Sequence, residues 1–227
     1  LLLEADVLLA IDTATKTIGV GIHDGSRVLA ETVWSSGQYH TVELAPEVAL
    51  LLRRVKASPH ELSAVAVVEG PGSYTGLRIG MALAKGLALV HNLPLVGIPT
   101  FEPLVRQQPR RPEPMLSVIE AGRKRIVAMW YKWGRRGWKS QGKAFNSTWD
   151  EVIPTIEEPT YVCGDIPPKI RARLEDETLI SAALPSLCIR RPSELAELAW
   201  ESLRAGKRLD PAKVHPVYLS EAGGEAV

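Results

Sequence analysis

Apolar residues along this chain fall into short continuous runs separated by polar, glycine-bearing turns. Val7-Leu8-Leu9-Ala10-Ile11 is apolar without alternation, the pattern of a strand covered on both faces. A polar turn, Asp12-Thr13-Ala14-Thr15, follows, and Ile18–Ile22 and Val28–Trp34 read as two further strands around the tight turn Asp24-Gly25. From Thr41 to Lys56 the spacing changes: Val42, Ala45, Val48, Ala49, Leu52 and Val55 recur at helical intervals, with Leu44 and Leu51 widening the stripe. Ser58-Pro59-His60-Glu61 reads as a helix start with proline at its first position. Val65–Val68 is a buried strand, Gly70-Pro71-Gly72-Ser73-Tyr74-Thr75-Gly76 a turn, and Leu77–His91 a long apolar helix. Leu95–Ile98 is a short strand, and Pro99-Thr100 opens another helix.

The first half therefore reads β-β-β-α-β-α-β-α. The Pro-, Arg- and Gln-rich stretch from Leu104 to Glu113 marks a boundary. Beyond it, strands are expected at Met115–Ile119, Arg125–Lys132, Trp138–Phe145 and Tyr161–Cys163. Helices are expected at Ser147–Ile153, capped by Ser147, and at Pro192–Ala205, ended by Gly206. The second half repeats the first in reduced form, so the expected architecture is α/β, a duplicated β-β-β-α-β-α unit divided into residues 1–105 and 106–227.

The helix after the glycine-rich turn is apolar nearly all round, with only Arg78 and Lys85 charged before His91. A helix lying on one sheet needs one apolar stripe. Gly76, Gly80, Ala84 and Ala88 recur every fourth residue and line one side, where another backbone can approach closely. Glycine in a helix costs roughly 1 kcal/mol against alanine, so two of them call for a packing reason. The helix is either buried twice within its own domain or covered by a second chain. In the second case Gly80→Leu would give a protein that folds but does not dock.

Charge and composition add less. The 227 residues carry a net charge of +1, but Arg106–Lys143 alone carries +9 and the remainder −8. Trp130, Trp133 and Trp138 are interleaved with that charge. The stretch is either a nucleic-acid contact or a solvated hairpin whose tryptophans pack on its sheet. Cys163 and Cys188 form no C-x-x-C pair, and with five histidines a metal site is not expected; unpaired thiols point to a reducing, cytoplasmic compartment. Leu1-Leu2-Leu3 is broken at once by Glu4 and Asp6, which is not a signal-peptide pattern, and no run approaches a membrane span.

Candidate chemistry centres on two turns. The glycine-rich turn lacks the lysine and hydroxyl of a Walker A loop and the spacing of G-x-G-x-x-G, leaving a generic anion site at a helix N-terminus. An anion or nucleotide there would meet Asp12, Thr13, Thr15, Gly72 and Ser73. Asp12 is either an acid organising metal and phosphate, as in a small ATPase or kinase, or a turn-capping acceptor. Ser73 and Tyr74 have no histidine-acid pair to make either a nucleophile, and His40 lacks a second histidine at helical spacing.

Ala10-Ile11-Asp12-Thr13-Ala14-Thr15, His40, the run from Gly70 to Gly80 (GPGSYTGLRIG), Gly97-Ile98-Pro99-Thr100 and Pro216-Val217-Tyr218-Leu219 occur in the order in which they stand in one family. Over nearly its whole length the chain resembles the TsaB (YeaZ) family, an accessory subunit of bacterial tRNA threonylcarbamoyladenosine synthesis. It departs from the family pattern at Glu120-Ala121-Gly122-Arg123, where an Asp-Ala-Arg strand end is usual. The resemblance implies the actin/hexokinase-like (ribonuclease H-like) fold with a degenerate second half. It implies a non-catalytic partner of the transferase TsaD, with the ATPase TsaE as a third member, tRNA engaged indirectly, and a homodimer as an alternative assembly. It implies no cofactor of the chain's own, with ATP or ADP at most at a shared interface. The implied partner contact uses helices of the first half. On the first of these the expected residues are His40, Leu44, Val48 and Leu51. On the second they are Gly76, Leu77, Arg78 and Gly80, followed by Met81, Ala84 and Ala88.

Overall fold

A computed structural model of the chain describes residues 7–37, 39–122, 124–206 and 210–219. The Leu1–Leu3, Glu4 and Asp6 readings, and Arg123 of the Glu120 corner, lie outside the described residues. Two five-stranded sheets account for the chain, one in each of two units: residues 1–103 with 191–217, and residues 104–190 with 218–227. The expectation of 1–105 and 106–227 does not include the return of Arg191–Val217 to the first unit.

In the first unit, β1 (Val7–Asp12), β2 (Thr17–His23) and β3 (Val28–Ser35) form an antiparallel meander. Helix α1 (His40–Arg54) leads to β4 (Leu62–Gly70), which pairs parallel to β1. Helix α2 (Tyr74–His91) then leads to β5 (Leu95–Pro99), parallel to β4. The sheet order is β3-β2-β1-β4-β5. Pro59–Glu61 is a single 3-10 turn rather than the expected helix. Its capping box, Ser58 with Glu61, closes the turn at once, and the β-branched run that follows is claimed by β4 from Leu62 onward. Helix α2 ends at Asn92 in the left-handed conformation, the usual way for the chain to leave a helix.

Both faces of β1 are buried, as its unbroken apolar run requires. Val7, Leu9 and Ile11 join Val20, Ile22, Val65 and Val67 in a core under α1 and α2. Helix α6 (Pro192–Arg204) packs against β1 and β2 with Leu195, Ala196 and Ala199 buried. Gly19 and Gly21 explain how it comes so close. A Cβ on either would lie 2.6 or 2.8 Å from the ring of Pro192, the first residue of α6. Hydrogen bonds fix the docking, one of them from Arg204 at the end of α6 to the Gly25 carbonyl at 2.6 Å. The His23 ring accepts the Gly25 N–H at Nδ1 (2.9 Å), so its proton is on Nε2, donated to Glu197 at 3.1 Å. Arg191 donates to Glu31 on β3, and the Ser193 N–H reaches the same carboxylate at 3.2 Å.

The division between the units falls within α3 (Phe101–Arg106), after Pro103, and the second unit continues with β6 (Met115–Glu120), β7 (Arg125–Gly134) and β8 (Gly137–Thr148). Then come α4 (Trp149–Val152), β9 (Thr160–Gly164), α5 (Pro168–Glu175) and β10 (Ile180–Ala182). The order β10-β9-β6-β7-β8 reproduces the first sheet strand for strand, β6 to β8 antiparallel and β6, β9 and β10 parallel. The copy is reduced where the sequence is poor: α4 has 4 residues against 15 in α1, and α5 has 8 against 18 in α2. The cap of α4 is Thr148, reciprocally bonded with Glu151, one residue beyond the expected Ser147.

Glu31 gives the α6 contact a pH signature. Burial alone would raise this carboxyl, but hydrogen bonds from Arg191 and Ser193, with the Arg191 charge, outweigh it and hold the group below its ordinary value of 4.5. A carboxyl depressed on folding adds stability above its unfolded value, and that part is lost as the pH falls through the folded one. Arg191→Met is therefore expected to lower the urea midpoint at pH 7. The midpoints of variant and wild type should converge below the ordinary carboxylate range. A gap that stays constant from pH 7 to acid would show that Arg191 acts only through packing.

Candidate functional site

The two turns singled out by sequence meet in the first unit, and they meet as interlocked backbone. Thr13 Oγ1 donates to the Gly76 carbonyl (2.8 Å), and the Ser73 N–H donates to the Ala14 carbonyl (2.6 Å). A Cβ on Gly72 would lie 2.4 Å from the Ala14 oxygen, and one on Gly76 2.2 Å from the Thr13 oxygen. On Gly80 it would lie 2.1 Å from Thr13 Oγ1. Small residues thus do line one side of α2, and a backbone does approach it closely. That backbone is the chain's own corner between β1 and β2.

This geometry redraws the expected anion site. Asp12 is buried and accepts the Ala14 N–H at Oδ1 (2.9 Å), the turn-capping role. Thr13 and Thr15 are buried, Thr15 bonding the backbone of Thr17. Ser73 caps α2 by accepting the Gly76 N–H (3.3 Å), while its own N–H is held by Ala14. The structure brings Asp12, Thr13, Thr15, Gly72 and Ser73 together. The Thr13 and Thr15 hydroxyls and the Ser73 N–H are given to neighbouring backbone carbonyls, and the Thr13 and Ala14 carbonyl oxygens, which repel an anion, lie where a Cβ on Gly76 or Gly72 would go.

The expected partner contacts are also redrawn. Leu44, Val48, Leu51, Met81, Ala84 and Ala88 lie in the core cluster, Leu77 is fully buried, and Gly76 and Gly80 are sealed by Thr13. His40 is buried too, donating from Nε2 to the Thr15 carbonyl at 3.1 Å, so it ties the start of α1 to the corner. Of these residues Arg78 alone is exposed, stacked 3.9 Å over the Tyr74 ring. Gly80→Leu would thus wedge the monomer apart rather than merely block docking.

What does face outward was missed by naming the wrong stripe. The exposed apolar residues are Val42, Ala45, Pro46 and Ala49 on α1 and, beyond Tyr74 in its first turn, Ala82, Gly86, Leu89 and Val90 on α2; Thr41, Arg53, Arg54, Thr75 and Arg78 are exposed on the same two helices. Each set keeps helical spacing along one face, and α1 and α2 are neighbours. Val42 is 65% exposed, Leu89 68% and Val90 77%. The excess apolar content of both helices was the signal. Side-chain size decides which face turns inward, with leucine, valine and methionine filling the core. Among the described residues no group of three or more His, Cys, Asp or Glu side chains is placed to hold a metal ion, and no helix is long and apolar enough to cross a membrane.

The paired sheets with one strand order and helices between their strands define the actin/hexokinase-like class of α/β protein. YeaZ from Pseudomonas aeruginosa shares this fold with a TM-score of 0.74 at 22% identity, covering 94% of this chain and 100% of that one. The tRNA threonylcarbamoyladenosine biosynthesis protein TsaB of Bacillus subtilis (strain 168) is 29% identical over 228 residues, 96% of each chain. Its counterpart in Escherichia coli (strain K12) is 38% identical over 94 residues, 41% of this chain and 40% of that one. The family model for TsaD, tRNA N6-adenosine threonylcarbamoyltransferase, matches residues 27–159, and the chain belongs to this family as one of its TsaB/YeaZ members.

The sealed corner sets a sign test. At an open helical position glycine to alanine stabilises by up to about 1 kcal/mol. Gly86, with nothing within 4 Å of its would-be Cβ, should follow that rule. Gly76→Ala should instead destabilise by about 2 kcal/mol, the usual cost of overpacking. Chemical denaturation of both variants checks this, and a stabilised Gly76→Ala would show that the Thr13 corner yields.

Proposed function

We propose that this chain is the non-catalytic, TsaB-type subunit of the machinery for tRNA threonylcarbamoyladenosine biosynthesis, and that it docks a TsaD-type transferase through the outward face of α1 and α2. The observation that carries the reading is the two-helix apolar face. Scattered apolar residues at a surface need no explanation, but an exposed apolar row at helical spacing on each of two neighbouring helices supports an interaction surface. Family membership and the names of the relatives supply the partner class, and the match of residues 27–159, which include α1 and α2, to the TsaD family model supports a pseudo-symmetric pairing. A non-catalytic role is supported by the corner at Asp12, where hydrogen-bond donors and glycine space are taken up internally. The chain then contributes surface and stability, and bond-making belongs to the partner. A TsaE-type ATPase completes the assembly, and the same face serves a homodimer when the partner is absent.

The test uses the exposed residues. Val42→Asp and Val90→Asp place a charge on the face without touching the core. Each is expected to leave the melting temperature near that of the wild type and to abolish co-elution with the TsaD-type subunit, followed by size-exclusion chromatography with light scattering. A full complex with both variants would remove this face from the interface.

A further inference from the structure

The β7–β8 hairpin extends beyond its own sheet. Pairing between β6 and β7 stops at Met115 with Tyr131, whereas β7 and β8 continue through Lys132 with Lys139, Trp133 with Trp138 and Gly134 with Gly137. Residues 132–139 thus form a two-stranded ribbon closed by Arg135-Arg136, a construction of marginal stability in water without added support. The support is the tryptophan pair: Trp133 and Trp138 stand directly opposite, edge to face with centroids 5.4 Å apart. Trp138 is anchored by its Nε1–H to the Gln108 carbonyl at 3.3 Å, while Trp133 stays 36% exposed.

The charge on this ribbon is uncompensated by its own strands. No acid occurs between Glu120 and Asp150. Lys132 and Lys139 face each other across the ladder, a pairing that like charges disfavour. The Lys139 stem lies along Gly134, where a Cβ would meet it at 3.1 Å. Glu157 and Glu158 line the cavity at the root of the hairpin together with Lys132 and Trp130. Among the described residues no acid pairs with Arg135, Arg136 or Lys139, and all three are exposed at the hairpin end that carries Trp133.

We propose that this tip binds single-stranded RNA directly, its three cations on successive phosphates and the exposed Trp133 ring stacking on a base. Cations that track a backbone beside an aromatic platform are how single strands are held without reading sequence. An anionic membrane is the less suitable partner. Interfacial binding puts the aromatic rings at the leading edge, whereas here two arginines lead and the ring pair is clamped behind them. The inference deepens the proposed function, since RNA is the substrate class of that machinery, but its readout needs no partner protein. A chain that docks its partner and ignores RNA would overturn this inference alone. One that binds RNA and fails to dock would overturn only the docking proposal.

The experiment is fluorescence anisotropy of the full chain with a labelled single-stranded RNA of about 12 nucleotides, within the site sizes common for such proteins. Three phosphate contacts on a single strand predict a slope of about −2 for log K against log salt. The Arg135→Ala/Arg136→Ala variant should flatten that slope by about 1.4 and weaken low-salt binding roughly tenfold. Trp133→Ala should weaken binding with the slope unchanged, and Trp133→Phe, which keeps a ring and guards against loss of the hairpin, should retain most of it. Lys169→Ala, exposed elsewhere on the same unit, should change nothing. Absence of binding at low salt, or an affinity and slope indifferent to the double-arginine variant, would overturn the proposal. So would adsorption to phosphatidylglycerol vesicles without RNA binding.

Discussion

Thr13 and Ala14 bring their backbone against α2 at a distance only glycine permits. The contact couples two corners of the first sheet that are far apart in sequence, the end of β1 and the start of α2. Everything on that face follows from it. With Gly76 and Gly80 seated on Thr13, α2 lies close enough for Leu77, Met81, Ala84 and Ala88 to reach the core. His40 then ties α1 to the same turn through the Thr15 carbonyl. The rotation of each helix about its own axis is thereby set, and with it the identity of the residues left facing solvent. The sequence marks this corner as a candidate anion site. Here the same elements serve as a clasp, which is why the proposed function rests on a surface rather than on a pocket.

The strands were legible because their composition is extreme. Val7–Ile11 and Val65–Val68 are continuous apolar runs and Met115–Ile119 is interrupted only by Ser117, and the two sheets bury them on both faces as such runs require. Helix α5 was not legible: across Pro168–Glu175 only Ile170 and Leu174 mark an apolar face, and four of the other six residues are charged. Nor was β10, three residues long and held by pairing with β9. The candidate site was half legible. Periodicity showed that α1 and α2 carry more apolar surface than one sheet can cover, but it could not say which side faces inward, because alanine, valine and leucine score alike in a pattern. Size and close approach decided that, and both are properties of the fold rather than of the helix alone.

The two units also show how a duplicated plan diverges without losing its topology. The strand order persists in the second sheet although its helices have shrunk from 15 and 18 residues to 4 and 8. What the second unit lost in helix it gained in hairpin, with β7 and β8 reaching 10 and 12 residues against 7 and 8 in β2 and β3. The meander was free to lengthen because its outer end is bounded by no further strand, and the added length carries the cations and tryptophans.

Pro192 seated on Gly19 and Gly21 has a consequence for how the protein is made. The first sheet is translated early, yet one of its faces is closed only by residues beyond 191. At ordinary rates of synthesis the ribosome needs on the order of ten seconds to bring that cover out. During that interval Leu8, Ala10 and the bare glycine ridge of β2 stand open to water and to other nascent chains. Until α6 emerges that side of the sheet lacks its helix, and a nonsense mutation upstream of α6 would release a sheet with one side unfinished.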